Sequence, residues 1–196
     1  QDIHDEQGEI ALCILSAVNV GALNDLGELE NICDLSVRAL EQIIDYQDYP
    51  VRAAEVSTKK RRSLGIGYIG LAHYLAKNGV KYSDPKAWEL VDRLSEAFQY
   101  HLLRSSCDIA MEKGKCEGFE RTKYADGQSS SVVSNETNGI EPPRALLSIK
   151  KSKKGPLKQI APGYPKLKND YTLLWEMPDN TGYINVVAMM QKYFDQ

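Results

Sequence analysis

Four cysteines, a glycine-rich hexad, a serine triplet and three histidines are the positions in this 196-residue sequence whose types could support chemistry. The cysteines are Cys13, Cys33, Cys107 and Cys116. None forms a C-x-x-C pair, and none clusters with histidine at zinc-ligand spacing. Any cysteine chemistry therefore resides in single thiols. A cysteine among apolar residues ordinarily packs as a small core side chain. By composition that reading covers Cys13, set in Gly8-Glu9-Ile10-Ala11-Leu12-Cys13. It also covers Cys33 on an apolar helix face, and Cys107 and Cys116 near a helix end. His4, His73 and His101 are scattered and form no ligand set with acids.

Gly65-Ile66-Gly67-Tyr68-Ile69-Gly70 is formally a G-x-G-x-x-G motif. A dinucleotide site needs that motif directly after a buried strand, so that pyrophosphate meets a helix N-terminus. The preceding Lys59-Lys60-Arg61-Arg62 does not read as a strand. The glycines are therefore read as close-packing positions of a helix. Ser129, Ser130 and Ser131 have hydroxyl and backbone donors that can cradle a phosphate; a polar linker is the plainer reading.

The elements that must position these groups follow from periodicity. Ile10 to Val20 is small and apolar, either a buried strand or a buried helix turn. Asn24 or Asp25 can cap a helix whose apolar positions include Leu26, Leu29, Ile32, Cys33, Leu40, Ile43 and Ile44, with Pro50 beyond its end. A second helix is predicted from about Lys60 to Asn78, with Leu64, Tyr68, Leu71 and Leu75 on one face and Asn78-Gly79 as its stop. A third starts after Ser83, which can cap it, with Pro85 in its first turn, and runs to Gly114. Glu117 to Ser131 lacks an apolar period and reads as a long loop or the site of missing chain. Ala145 to Ile149 and Leu157 to Ile160 form a hairpin across Lys154-Gly155-Pro156. Tyr171 to Trp175 and Tyr183 to Phe194 read as two further helical segments.

Composition sets the class. Hydrophobic residues make up 42% and charged residues 26%, as in ordinary soluble domains. No apolar run approaches the roughly 20 residues of a membrane helix, so no membrane partner is expected. No basic segment leads into an apolar stretch as a secretion signal would. Few cysteines in a chain this long point to a reducing, cytoplasmic setting. Net charge is −3, but Arg144 to Lys168 holds eight Lys or Arg and no acid, leaving 16 bases against 27 acids, or −11, elsewhere. Such a segment is a solvated hairpin or a phosphate-binding surface. The opening without Met suggests a processed or excised piece.

Several stretches, in order, resemble one family. They are GEIALCIL with SAVNVG (Gly8 to Gly21), VRALEQIIDYQDYP (Val37 to Pro50) and RRSLGIG (Arg61 to Gly67). Ser134-Asn135-Glu136-Thr137-Asn138-Gly139-Ile140-Glu141-Pro142-Pro143-Arg144 is the most specific. Leu174-Trp175-Glu176-Met177-Pro178 and Met190-Gln191-Lys192 add to it. Together they resemble the large, catalytic subunit of class I, aerobic ribonucleoside-diphosphate reductase.

The resemblance implies an α/β fold, helix-rich, forming the second half of a ten-stranded α/β barrel, with residues 1–196 as a partial barrel domain. It implies reduction of ribonucleotides to deoxyribonucleotides by thiyl-radical chemistry, with a cysteine pair that ends as a disulfide. Cys13 matches one member of that pair, and Ser129 and Ser130 match the end of the loop that binds the substrate phosphate. The Gly65 to Gly70 stretch matches a scaffold helix. No cofactor or metal is expected in this chain. The radical comes from a metal-containing small subunit, and a thioredoxin- or glutaredoxin-type protein supplies reducing equivalents. Nucleotide effectors bind elsewhere in the full subunit. The radical cysteine and the partner of Cys13 are expected upstream of Gln1, so an upstream part of the large subunit is an expected partner. The radical-relay tyrosines are expected beyond Gln196. Several dozen family residues have no match between Gln128 and Ser129. The rival readings are a non-catalytic nucleotide-binding module built on Gly65 to Gly70 and the basic segment, and a structural remnant.

Overall fold

The computed structural model describes residues 8–10, 12–117, 139–152 and 155–194. Five α-helices and four strands are present among them, in two small sheets. The chain enters β1 (Ile14–Asn19), makes a 3-10 turn at Val20–Ala22, and continues into α1 (Glu28–Tyr46) and α2 (Arg52–Arg61). It returns through β2 (Leu64–Ile69) parallel to β1, then forms α3 (Leu71–Lys77) and the long α4 (Pro85–Lys113). An antiparallel hairpin, β3 (Leu147–Ser152) and β4 (Gly155–Ile160), precedes α5 (Thr181–Met190).

The register of the parallel pair runs from Ile14 opposite Leu64 to Asn19 opposite Ile69. Parallel strands need a covering crossover, and α1 and α2 supply it. Helix α1 buries Leu29, Cys33, Val37, Leu40 and Ile44, a stripe at three- and four-residue intervals. That stripe packs on both strands and on α4. Helix α4 buries Ala87, Val91, Leu94 and Phe98 in the same core, and α5 lies against it. Tyr68 of β2 meets the Phe98 ring edge-on at 5.3 Å and the Phe194 ring at 5.5 Å. Its hydroxyl pairs with Ser95 Oγ at 3.1 Å, so a fully buried phenol keeps a hydrogen-bond partner.

The expected helix over Lys60 to Asn78 is overturned. That stretch holds the end of α2, all of β2, and α3. Helix α2 stops at Arg62, whose φ of 50° is left-handed, and Gly70 at φ 83° separates β2 from α3. Gly65 to Ile69 of the glycine hexad is thus strand, not scaffold helix, and Gly70 is the turn that follows it. The first helix is capped differently too: Gly27 is its N-cap residue, and Asp25 accepts the Gly27 N–H at 2.7 Å. Asp84, rather than Ser83, caps α4 by accepting the Lys86 N–H at 2.9 Å. Of the segment Tyr171 to Trp175, residues 171–173 form no helix and Leu174 and Trp175 belong to a short 3-10 turn at Leu174–Glu176, and α5 ends at Met190 instead of Phe194. The strand alternative for Ile10 to Val20, the Pro85 start, the Gly114 stop and the hairpin are found as expected.

The C-terminal part locks onto the core at Tyr82. This fully buried tyrosine donates to the Ile140 carbonyl at 2.8 Å, and Trp88 Nε1 donates to the Tyr82 carbonyl at 3.2 Å. Gly182 in the first turn of α5 lies against the same strand of backbone. A Cβ there would stand 2.8 Å from Ser83 Cα and N. Replacing glycine by alanine in a helix ordinarily gains up to about 1 kcal/mol. Backbone cannot yield as a side chain does, so the clash wins. Gly182→Ala is expected to destabilise the chain by about 2 kcal/mol, read as a lowered urea midpoint in dilute solution.

Candidate functional site

Cys13 stands one residue before the first paired position of β1. Side chains alternate along a strand. Ile14, Ser16 and Val18 therefore share one face with Leu64, Ile66 and Tyr68 opposite them. Val18 and Tyr68 are buried on that face, in the core. Leu15 and Ala17 form the other phase, opposite Gly65 and Gly67, and continuing the alternation back by two residues would put Cys13 in it. Leu15 is 47% exposed. At the end of the strands nearest Cys13 this phase thus carries Ala17, Gly65 and Gly67 beside a half-exposed leucine. Gly65 and Gly67 lie inside β2 and pair with β1, so their backbone is engaged before α3 begins, while Gly70 stands between β2 and α3. This arrangement does not favour the nucleotide-module reading, in which they would follow a strand and open a helix.

Cys13 is half-buried, with its Sγ 3.9 Å from the Ile14 carbonyl. The other thiols differ in setting. Cys33 is wholly buried in α1 against the core, and burial pushes its thiol up to about 12. It is protonated at neutral pH and behaves as a packing residue, as composition suggests. Cys107 is exposed on α4, and Cys116 donates to the Arg61 carbonyl at 3.4 Å. No pair of the four is joined in a disulfide. Ser129 and Ser130, the expected phosphate-binding serines, lie outside the described residues, as does the Gln128–Ser129 junction. Among the described residues no group of three His, Cys, Asp or Glu is placed to hold a metal ion. No described helix is long and apolar enough to cross a membrane.

The segment that brings Cys13 to β1 is tied down at Glu9 and Ile10. Glu9 accepts from Lys60 Nζ at 2.9 Å and from the Arg61 guanidinium. These two cations hold its carboxyl below the usual glutamate range. The Ile10 N–H donates to the Ala53 carbonyl at 3.1 Å. Sequence reasoning assigned no role to Glu9. The available signal was one acid just before an apolar strand and a run of four cations, Lys59 to Arg62, just before the next.

Two charged clefts lie among the described residues. One is lined by Glu41, Asp45, Arg62, Lys113, Gly114, Lys115 and Cys116. In it Arg62 donates to Glu41 at 2.8 Å and to both Asp45 oxygens at 2.8 and 2.9 Å. The other lies between α1 and α4, where Arg38 bridges Asp34 and Glu112 and Ser105 donates to Asp34 at 2.7 Å. In both clefts the ion pairs tie one helix to another.

A family model described as "Ribonucleotide reductase, barrel domain" matches residues 2–129. The chain is 45% identical over 241 residues to the ribonucleoside-diphosphate reductase subunit alpha of Buchnera aphidicola from Schizaphis graminum, covering all of this chain and 32% of that protein. It is 46% identical over 242 residues to the alpha subunit of Haemophilus influenzae, again covering all of this chain and 32% of the relative. With the Escherichia coli K12 ribonucleoside-diphosphate reductase 1 subunit alpha it shares 44% over 199 residues, 78% of this chain and 26% of the relative. The chain spans about a third of the length of the curated relatives it matches best in coverage. It belongs to the ribonucleotide reductase barrel-domain family.

Proposed function

We propose that this chain is a catalytic-barrel portion of a ribonucleoside-diphosphate reductase alpha subunit and that Cys13 is one of its two reducing thiols. The observation that carries the reading is the match along the whole chain to alpha subunits, with Cys13 immediately before β1, the strand that pairs with Gly65 and Gly67. In this reading a thiyl radical on a cysteine elsewhere in the subunit activates the ribonucleotide by taking its 3′ hydrogen. Cys13 and a second cysteine then give up two electrons and two protons as the sugar loses a hydroxyl as water. They end as a disulfide, which an external thioredoxin- or glutaredoxin-type dithiol reduces. The chain binds no metal in this scheme; a metal-containing small subunit generates the radical.

Ser129 and Ser130 are the proposed phosphate contacts, using hydroxyl and backbone donors. The barrel is the ten-stranded type, completed by strands from the rest of the subunit, and the enzyme is cytoplasmic. Residues 1–196 form a partial barrel domain with several dozen family positions unmatched between Gln128 and Ser129. Two facts support that gap: the alignment with the Buchnera relative runs to 241 residues against 196 here, and the family match ends at Ser129.

Complementation tests the reading. The chain mixed with an upstream alpha-subunit half and the small subunit is expected to restore deoxynucleotide formation, and the chain alone to make none. Absence of product from the native sequence under those conditions would favour the structural remnant.

A further inference from the structure

Cys13 lies between two anchors. Downstream, the ladder begins at Ile14, opposite Leu64. Upstream, the Ile10 N–H is bonded to Ala53 and the Glu9 carboxylate is gripped by Lys60 and Arg61. The thiol itself precedes the first paired residue, so the ladder alone does not fix it. The three side chains of the grip are 28% (Glu9), 37% (Lys60) and 34% (Arg61) exposed, partly withdrawn from water. Arg61 is steadied in turn: it donates to Ser57 at 2.8 Å, and its carbonyl accepts from Cys116. Both cations sit in the last turn of α2, and β2 begins three residues after Arg61. The grip therefore ties the approach to β1 to the same piece of backbone that sets the start of β2.

We infer that the Glu9–Lys60–Arg61 cluster is a positioning device for Cys13, holding the approach to β1 so that the thiol stays within reach of its disulfide partner. The inference rests on the proposed role of Cys13. Disulfide formation tolerates little displacement, since bridged Cα atoms lie about 4.4–6.8 Å apart with a fixed dihedral. A misplacement of about 1 Å at a reacting group can cost on the order of a hundredfold in rate.

The test uses the complete alpha subunit with this chain in place, assembled with its small subunit. Glu9→Gln, and separately the double variant Lys60→Met with Arg61→Met, are expected to lower kcat about tenfold or more. KM for the ribonucleotide and the thermal midpoint should stay near wild type. Disulfide formation in a single turnover without reductant should slow by the same factor as kcat. Arg61→Lys, which keeps the charge, should retain most of the rate. Wild-type kcat and disulfide formation in both clamp variants, beside an inactive Cys13→Ser, would overturn the positioning role and leave the role of Cys13 standing. A fully active Cys13→Ser overturns both. A fall in kcat matched by a collapse of the thermal midpoint, with no recovery in Arg61→Lys, also overturns it, because the cluster would then be a plain structural tether.

Discussion

Cys13→Ser in the complete alpha subunit is expected to cut reductive turnover by roughly 10³-fold or more while leaving the fold unchanged. Serine nearly matches cysteine in size but cannot form a disulfide, and its hydroxyl has no accessible thiolate-like state. In the proposed role, the two electrons that the pair delivers would then have no source at this position. The structural cost is small. Cys13 is half-buried and precedes the β1 ladder, with its Sγ a long 3.9 Å from the Ile14 carbonyl. The measurement is deoxynucleotide formed per subunit with excess dithiol, alongside far-ultraviolet circular dichroism and a thermal midpoint. Full activity with a wild-type midpoint would remove Cys13 from the mechanism.

The largest effect on stability is expected at Arg62. Its guanidinium is the close partner of Glu41, a carboxylate only 7% exposed, and it also grips Asp45. Removing one partner of a buried pair leaves an uncompensated charge and costs about 3–5 kcal/mol in the fully buried case. Here Lys113 stays 3.8 Å from Glu41, and Arg62 is 20% exposed, so Arg62→Ala should cost about 2–3 kcal/mol. A left-handed backbone is costly for any side chain and free for glycine. Arg62 has φ 50°, so Arg62→Gly should lose less than Arg62→Ala, by roughly 1 kcal/mol. Adding Glu41→Gln to Arg62→Ala should recover part of the loss, since the orphaned charge is gone; additive losses would show the pair is not coupled. The pH dependence has a definite sign. The Arg62 hydrogen bonds hold the Asp45 carboxyl below its ordinary range, about 3.9. That contribution is complete above the ordinary value and is lost as pH falls through the depressed one. Urea midpoints taken in dilute solution down the acid limb should therefore fall less steeply for Arg62→Ala than for wild type.

Much of the fold can be read from local signals. The stripes of α1 and α4 repeat at helical spacing, Pro85 and Gly114 bracket α4, and Gly155-Pro156 marks the hairpin. The segment from Arg52 to Gly70 cannot be read that way, for identifiable reasons. Helix α2 buries Ala53, Ala54, Ser57 and Thr58, which form no apolar stripe. In β2, Leu64 and Tyr68 are four residues apart, a spacing that satisfies both a helix and one face of a strand. Leu71 and Leu75 of α3 then continue a helical count by coincidence across Gly70. Only the pairing with β1, fifty residues earlier in the register, makes the stretch a strand, and that information is not local. The site shows the same division. Cys13 could be singled out only by family order, because its residue type and neighbours describe an ordinary core thiol. The Glu9 and Arg62 contacts join residues 52 and 21 positions apart, beyond any window of periodicity.

Among the described residues, β1 and β2 pair only with each other. Each six-residue strand therefore has one side whose amide and carbonyl groups point away from its partner. Such edges are templates for adding further strands, and parallel sheets are normally enclosed. The first difficulty for the chain kept apart from its neighbours is thus colloidal, before it is catalytic. Concentrated solutions would favour strand addition between copies, whereas in the proposed reading the rest of an alpha subunit would cap the same edges within one molecule. Yield of monomer would then depend on when that neighbour arrives, which makes co-expression a matter of timing as much as of stoichiometry.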